Sequence, residues 1–215
     1  MSLRILIVDD HAVVRRGVRS LLESHEGWEV CGEATTGRDA VEQSRRLRPD
    51  VVVMDLSLPE LNGLDATRQI LKDAPDTEVL VLTMHHSEEL VRDVLQAGAR
   101  GYVLKADADE NLIAAVDSLR QRKPFLTASV TEFVLDDFVR RGDALDELAP
   151  VTVTAREREI IQLVAEGQSN KAAASTLGIS VKTIEAHRAN IMRKLQLRSV
   201  SDLVRYAVRN KIVQA

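Results

Sequence analysis

The sequence predicts an α/β doubly wound parallel sheet of five strands, followed by an all-α unit of four helices. Three observations carry this. Short apolar runs that end in a polar residue alternate with helical patterns through the first 120 residues. From Thr152 onward the pattern is helical throughout, with breaks at Gly167 and Gly178. The charge divides near the same place. Residues 1–150 hold 18 Lys and Arg against 28 Asp and Glu, a net −10, whereas residues 151–215 hold 11 against 5, a net +6. A chain of 215 residues is comfortable for two domains.

In order, the strands expected are Leu3–Val8, Trp28–Glu33, Val51–Met54, Glu78–Thr83 and Tyr102–Lys105. The third is apolar at every position, as in a strand buried on both faces of a parallel sheet. Helices are expected over residues 11–24, 37–47, 64–73, 88–97 and 109–121. On the first, Val13, Val14, Val18, Leu21 and Leu22 recur at helical spacing. Residues 123–149 change character and read as a linker with one helix, which sets the expected domains at 1–122 and 150–215. The single cysteine, Cys31, sits in a strand-like apolar run, a plain core position. One cysteine fits a reducing cytoplasm, and no apolar run reaches the roughly 20 residues of a membrane span.

Four strands end in polar residues: Asp9-Asp10, Asp55, Thr83 and Lys105. The C-terminal ends of parallel strands share one edge, where ligands bind in open α/β sheets. Three carboxylates gathered there repel one another unless a hard cation joins them, and Mg²⁺ suits an all-oxygen site in water. A lysine and a hydroxyl beside them complete a site for a transferring phosphoryl group, with a carboxylate as nucleophile.

In the tail, Thr154 followed by Glu157 is a capping-box signature. A helix then runs to Gly167, a second over Lys171–Leu177, and a third from Val181 to about Leu195, capped by Ser180. The second and third, joined by a short turn containing Gly178, fit a helix-turn-helix. The third should bury Ile184, Ile191 and Leu195. A fourth covers residues 200–211.

The words Val8-Asp9-Asp10-His11, Met54-Asp55-Leu56-Ser57-Leu58-Pro59-Glu60-Leu61-Asn62-Gly63, Leu82-Thr83 and Gly101-Tyr102-Val103-Leu104-Lys105 resemble the receiver domain of two-component response regulators, which has a flavodoxin-like fold. The resemblance implies that Asp55 accepts a phosphoryl group from a sensor histidine kinase. It implies that Asp9, Asp10, Asp55 and the Ser57 carbonyl hold Mg²⁺. Thr83 would then hydrogen-bond the phosphoryl group, Lys105 pair with it, and Tyr102 rotate as the switch aromatic. Met84 departs from the family's usual small residue.

The tail words Thr154-Ala155-Arg156-Glu157-Arg158-Glu159, Gly167-Gln168-Ser169-Asn170-Lys171 and Thr183–Leu195 resemble the LuxR-type DNA-binding domain. The whole chain is therefore similar to the NarL/FixJ class: cytoplasmic DNA-binding transcription regulators rather than enzymes. The resemblance places Thr183, Glu185, Ala186, Arg188 and Ala189 toward the major groove, and Lys171, Lys182, Asn190, Arg193 and Lys194 toward phosphates. It implies a homodimer on double-stranded DNA, paired through the last helix. Glu185 stands where many relatives carry Lys. The alternative reading is a constitutive DNA-binding regulator that needs no phosphorylation.

Other functions fit less well. Asp9-Asp10 would repel the phosphate of a bound flavin nucleotide. A haloacid-dehalogenase-type phosphatase needs a second Asp where Ser57 stands. With aromatics at 3%, the front half lacks rings to line a lactone pocket.

Overall fold

The computed structural model describes residues 2–84, 87–127, 130–131 and 153–213. It contains two compact units, an α/β unit drawn mainly from residues 2–127 and a helical unit drawn mainly from residues 153–213. The helix expected in the linker, Leu126 to Arg141, lies almost wholly on residues outside those described.

In the first unit, strands β1 (Leu3–Val8), β2 (Trp28–Ala34), β3 (Val51–Met54), β4 (Glu78–Thr83), β5 (Gly101–Leu104) and β6 (Phe125–Leu126) form one sheet in the order β2-β1-β3-β4-β5-β6. Every pairing is parallel. The sheet thus has six strands, one more than expected. Gly101 pairs with Phe125 and Tyr102 with Leu126. A two-residue edge strand after Pro124 is too short to show an alternation, so only the neighbouring β5 reveals it. It lies beyond residue 122, where the sequence suggested that the domain ends.

Among the described residues, five helices flank the sheet: α1 (Ala12–Glu23), α2 (Gly37–Leu47), α3 (Gly63–Asp73), α4 (Glu88–Gln96) and α5 (Ala108–Arg120). Thr36 starts α2 by accepting from the Asp39 N–H at 3.1 Å, and Ser87 starts α4 by accepting from Leu90 at 3.2 Å; such caps contribute about 1 kcal/mol each. All four residues of β3 are buried, and Ile5, Ile7, Val51, Val53, Leu80 and Val103 share one core with Leu112, Val116 and Leu119 of α5. Each such side chain contributes roughly 1.5–3 kcal/mol. Not every apolar residue at helical spacing turned inward. Val18 and Leu22 of α1 are buried, but Val13 is 78% exposed, because the sheet covers less than the full apolar arc.

Cys31 is half-buried, its thiol donating to the Ile5 carbonyl at 3.3 Å. Burial raises its pKa, which favours the unreactive protonated form.

The second unit has four helices: α6 (Ala155–Ala165), α7 (Asn170–Leu177), α8 (Val181–Lys194) and α9 (Val200–Arg209). The expected capping box is formed. Thr154 accepts from the Glu157 N–H at 3.2 Å, and Glu157 accepts from the Thr154 N–H at 2.8 Å. Ser169, Ser180 and Ser199 cap the next three. Gly178, at φ 64°, ends α7 in the left-handed region that favours glycine. Ile160, Ile161, Leu163, Ile184, Ile191, Leu203 and Ala207 form a separate core, while Leu195 is only half-buried.

Among the described residues, no helix is long and apolar enough to cross a membrane.

Candidate functional site

The strand ends converge as parallel pairing requires. Val8 pairs with Met54, and Thr83 with Leu104, so Asp9, Asp55, Thr83 and Lys105 leave the sheet at one edge. Asp9, Asp55 and Thr83 are buried, at 3%, 2% and 0% exposure. Lys105 opens a short 3-10 turn, Lys105–Asp107, between β5 and α5. Its Nζ lies 2.7 Å from Asp9 Oδ2 and 2.8 Å from Asp55 Oδ2. One buried ammonium therefore bridges two buried carboxylates.

The electrostatics follow from this packing. Burial pushes the Asp55 carboxyl up; the Lys105 hydrogen bond and charge oppose that rise without cancelling it. Burial alone would lower the Lys105 ammonium, but its bonds to Asp55 and Asp9 outweigh it and leave the pKa raised. Asp55 Oδ1 accepts from the Leu56 N–H at 2.7 Å, and the Ser57 backbone also favours the ionised carboxyl. The pocket holds Asp55 as a desolvated carboxylate with fixed donors, the form suited to nucleophilic attack.

Asp10 is partly exposed and completes the acidic group. One ligand atom from each of Asp9, Asp10, His11 and Asp55 lies within 4.8 Å of the others. His11 Nδ1 is 2.7 Å from Asp10 Oδ1, and its backbone N–H donates to Asp9 Oδ1 at 2.8 Å. Three hard carboxylate donors open to solvent on one side fit a divalent cation such as Mg²⁺. Ser57 is half-buried in the loop after β3. Tyr102 lies two residues before the end of β5, not at the edge. It is fully buried, which pushes its phenol up to about 12.

Two supporting residues escaped the sequence reading. Arg15 of α1 donates from Nη1 to the Asp9 carbonyl at 2.9 Å and from Nε to Glu33 Oε2 at 2.8 Å. The Arg15 bond is the main cause that lowers the Glu33 carboxyl. Its only sequence signal was a cation one turn into α1. Gly63 was visible as part of a word but without its reason. A Cβ there would lie 1.9 Å from the Asp55 carbonyl oxygen. The Gly63 N–H donates to the Leu56 carbonyl at 3.0 Å, so the loop closes tightly over the end of β3.

The second unit presents a different surface. Lys171, Lys182, Thr183, Glu185, Ala186, Ala189, Asn190, Arg193 and Lys194 are exposed, and Arg188 is half-buried. The side chains are partly tethered. Arg188 donates to Asn170 Oδ1, and Asn170 Nδ2 donates to Glu185 Oε1 at 3.4 Å. Arg193 donates to Asn190 at 2.8 Å, and Lys194 Nζ lies 2.7 Å from Glu157 Oε2. Asn170 and Glu157 were not singled out from sequence for these roles. On α9, Leu203 and Ala207 face the core, whereas Val200 and Val208 are exposed at 48% and 36%.

Known proteins match both units. Residues 5–117 match the response regulator receiver domain, and residues 151–207 match the bacterial regulatory proteins of the luxR family. The oxygen regulatory protein NreC of Staphylococcus epidermidis is 40% identical over 218 residues, covering 99% of this chain and all of the relative. NreC of Staphylococcus aureus is 38% identical, over 99% of this chain and again all of the relative. Among solved structures, a LuxR-family two-component response regulator from Aurantimonas sp. is 33% identical, with a TM-score of 0.62 over 65% of this chain and 99% of its own. The response regulator RcsB in complex with DNA is 27% identical, with a TM-score of 0.59 over 96% of this chain and 98% of its own. The chain belongs to the two-component response regulators of the NarL/FixJ class, with a receiver domain followed by a LuxR-family DNA-binding domain.

Proposed function

We propose that this regulator is switched by phosphorylation of Asp55 by a sensor histidine kinase, and that the switch controls its binding to DNA. The observation that carries the reading is the buried Asp55 carboxylate, bridged at 2.8 Å by Lys105 and flanked by Asp9 and Asp10. An Asp55 oxygen attacks the phosphorus of the kinase phosphohistidine; the new P–O bond forms as the P–N bond breaks and the imidazole leaves. Lys105 moves from the free carboxylate to the phosphoryl oxygens, Thr83 donates to them, and Tyr102 repacks. Asp9, Asp10, Asp55 and the Ser57 carbonyl are the residues that would hold Mg²⁺. When bound, Mg²⁺ neutralises charge on the transferring group.

The DNA-binding domain, expected over residues 150–215, works as a homodimer on double-stranded DNA in the cytoplasm. The recognition helix α8 enters the major groove. Thr183, Glu185, Ala186, Arg188 and Ala189 face bases, while Lys171, Lys182, Asn190, Arg193 and Lys194 face phosphates. The α9 helices pair through a seam that includes Val200 and Val208, which are exposed in the single chain.

Acetyl phosphate with Mg²⁺ should add one phosphate to the wild type, read by intact mass, and none to Asp55→Asn. Asp10→Ala should fail as well. An unchanged yield in Asp55→Asn rejects the assignment. Equal operator affinity with and without phosphate would instead support the constitutive regulator.

A further inference from the structure

Glu185 is an anomaly on a surface that meets phosphates, and its surroundings explain how it is kept there. Glu185 and Arg188 stand three residues apart on α8. Such a pair normally closes on itself as a helix ion pair. Here no direct Glu185–Arg188 ion pair forms among the described residues, because Asn170 is interposed. Its Oδ1 accepts from Arg188 and its Nδ2 donates to Glu185 Oε1 at 3.4 Å. A guanidinium can only donate and an ionised carboxylate only accept, so a single orientation of the amide serves both. Asn170 is itself fixed. It is the first residue of α7, directly after the Ser169 cap, and Gly178 sets the turn between α7 and α8.

Resting on the DNA-binding reading above, we propose that Asn170 is a positioning residue. It holds Glu185 and Arg188 apart and aims them at two neighbouring base pairs. Three residues advance about 4.5 Å along a helix, against about 3.4 Å per base step, so the two side chains reach adjacent pairs. Arg188 donates to guanine O6 and N7. Glu185 accepts from an exocyclic amine of the neighbouring pair, cytosine N4 by preference. The half-site therefore carries a guanine beside a cytosine-bearing position.

The test uses the full chain, phosphorylated with acetyl phosphate. A site is selected from random duplexes, and affinities are measured for every single-base variant of that site. Asn170→Ala should flatten discrimination at two adjacent positions by about tenfold each, while affinity for unrelated duplex, the salt slope and the melting temperature stay near wild type. Asn170→Asp keeps an acceptor for Arg188 but repels Glu185, so it should lose discrimination at the Glu185 position only. A uniform loss on all sequences in Asn170→Ala would reveal a plain phosphate contact and overturn the proposal. An unchanged discrimination profile would overturn it too. A wild type that selects no site overturns the DNA-binding reading itself, and this proposal with it.

Discussion

The two units hold their charges in opposite ways. In the receiver domain Asp9, Asp55 and Lys105 are buried and fix one another over 2.7–2.8 Å, with Asp10 exposed beside them. In the DNA-binding domain Arg193 and Lys194 are exposed, each tethered by a single polar contact, to Asn190 and to Glu157. Burial makes each charge expensive to leave alone, so the pocket tolerates little change. Exposure lets water and salt compensate, so the DNA-reading surface can change its message cheaply.

The largest effect should come from filling the closest contact in the first unit. Gly63→Ala places a methyl 1.9 Å from the Asp55 carbonyl, and backbone cannot yield as a side chain does. Urea unfolding should show a loss of about 3 kcal/mol or more, with phosphorylation falling alongside. A variant of wild-type stability would show that the loop after β3 is far softer than its packing implies.

Lys105→Ala comes next, at about 3 kcal/mol near neutral pH, because it strands two buried carboxylates. The pH dependence has a definite sign. The raised Lys105 pKa means that its pairing is fully present below 10.5, the ordinary lysine value, and is lost as pH rises through the higher folded value. The raised Asp55 pKa means that its ionised form is disfavoured by folding, so the variant should recover as acid protonates Asp55. Denaturation at pH 7 and at about pH 4 checks this; an equal deficit at both would contradict the charge account.

In the second unit, Arg193→Ala and Lys194→Ala should cost at most about 1 kcal/mol of stability. Each should flatten the salt dependence of DNA binding by about one phosphate contact per monomer. The Glu157 carboxyl meets a burial cost that its bonds to Lys194 and Thr154 outweigh, which leaves its pKa lowered. Its contribution is therefore present above 4.5, the ordinary value, and is lost as pH falls through the lower folded value. Lys194→Ala should remove part of that acid sensitivity, and Arg193→Ala none of it, in melting curves from pH 3 to 6.

Met84→Ala is the mildest. Met84 is 67% exposed, so its removal should not affect folding. Phosphorylation by acetyl phosphate and dephosphorylation should both quicken by less than about tenfold, a barrier change under about 1.4 kcal/mol. Unchanged rates would show that the side chain does not shield Asp55.

Much of this protein follows from sequence because its signals are local and repeated. The all-apolar β3 beside Asp55, the Thr154–Glu157 capping box, and the Ser180 cap after Gly178 each encode a local structure in adjacent residues. The convergence of Asp9, Asp55, Thr83 and Lys105 was legible as well, since parallel strands must share an edge. Tertiary structure alone decided what depends on distant pairs. It placed Asn170 between Glu185 and Arg188, set Lys194 on Glu157, drew Arg15 onto the Asp9 carbonyl, and turned Val13 outward. It also added the short β6, which exists only because β5 offers an open edge to pair with. The physical reason is the range of the interaction. Periodicity and capping act over a few residues and leave a pattern in the chain, whereas a hydrogen bond between two elements leaves none until both are folded.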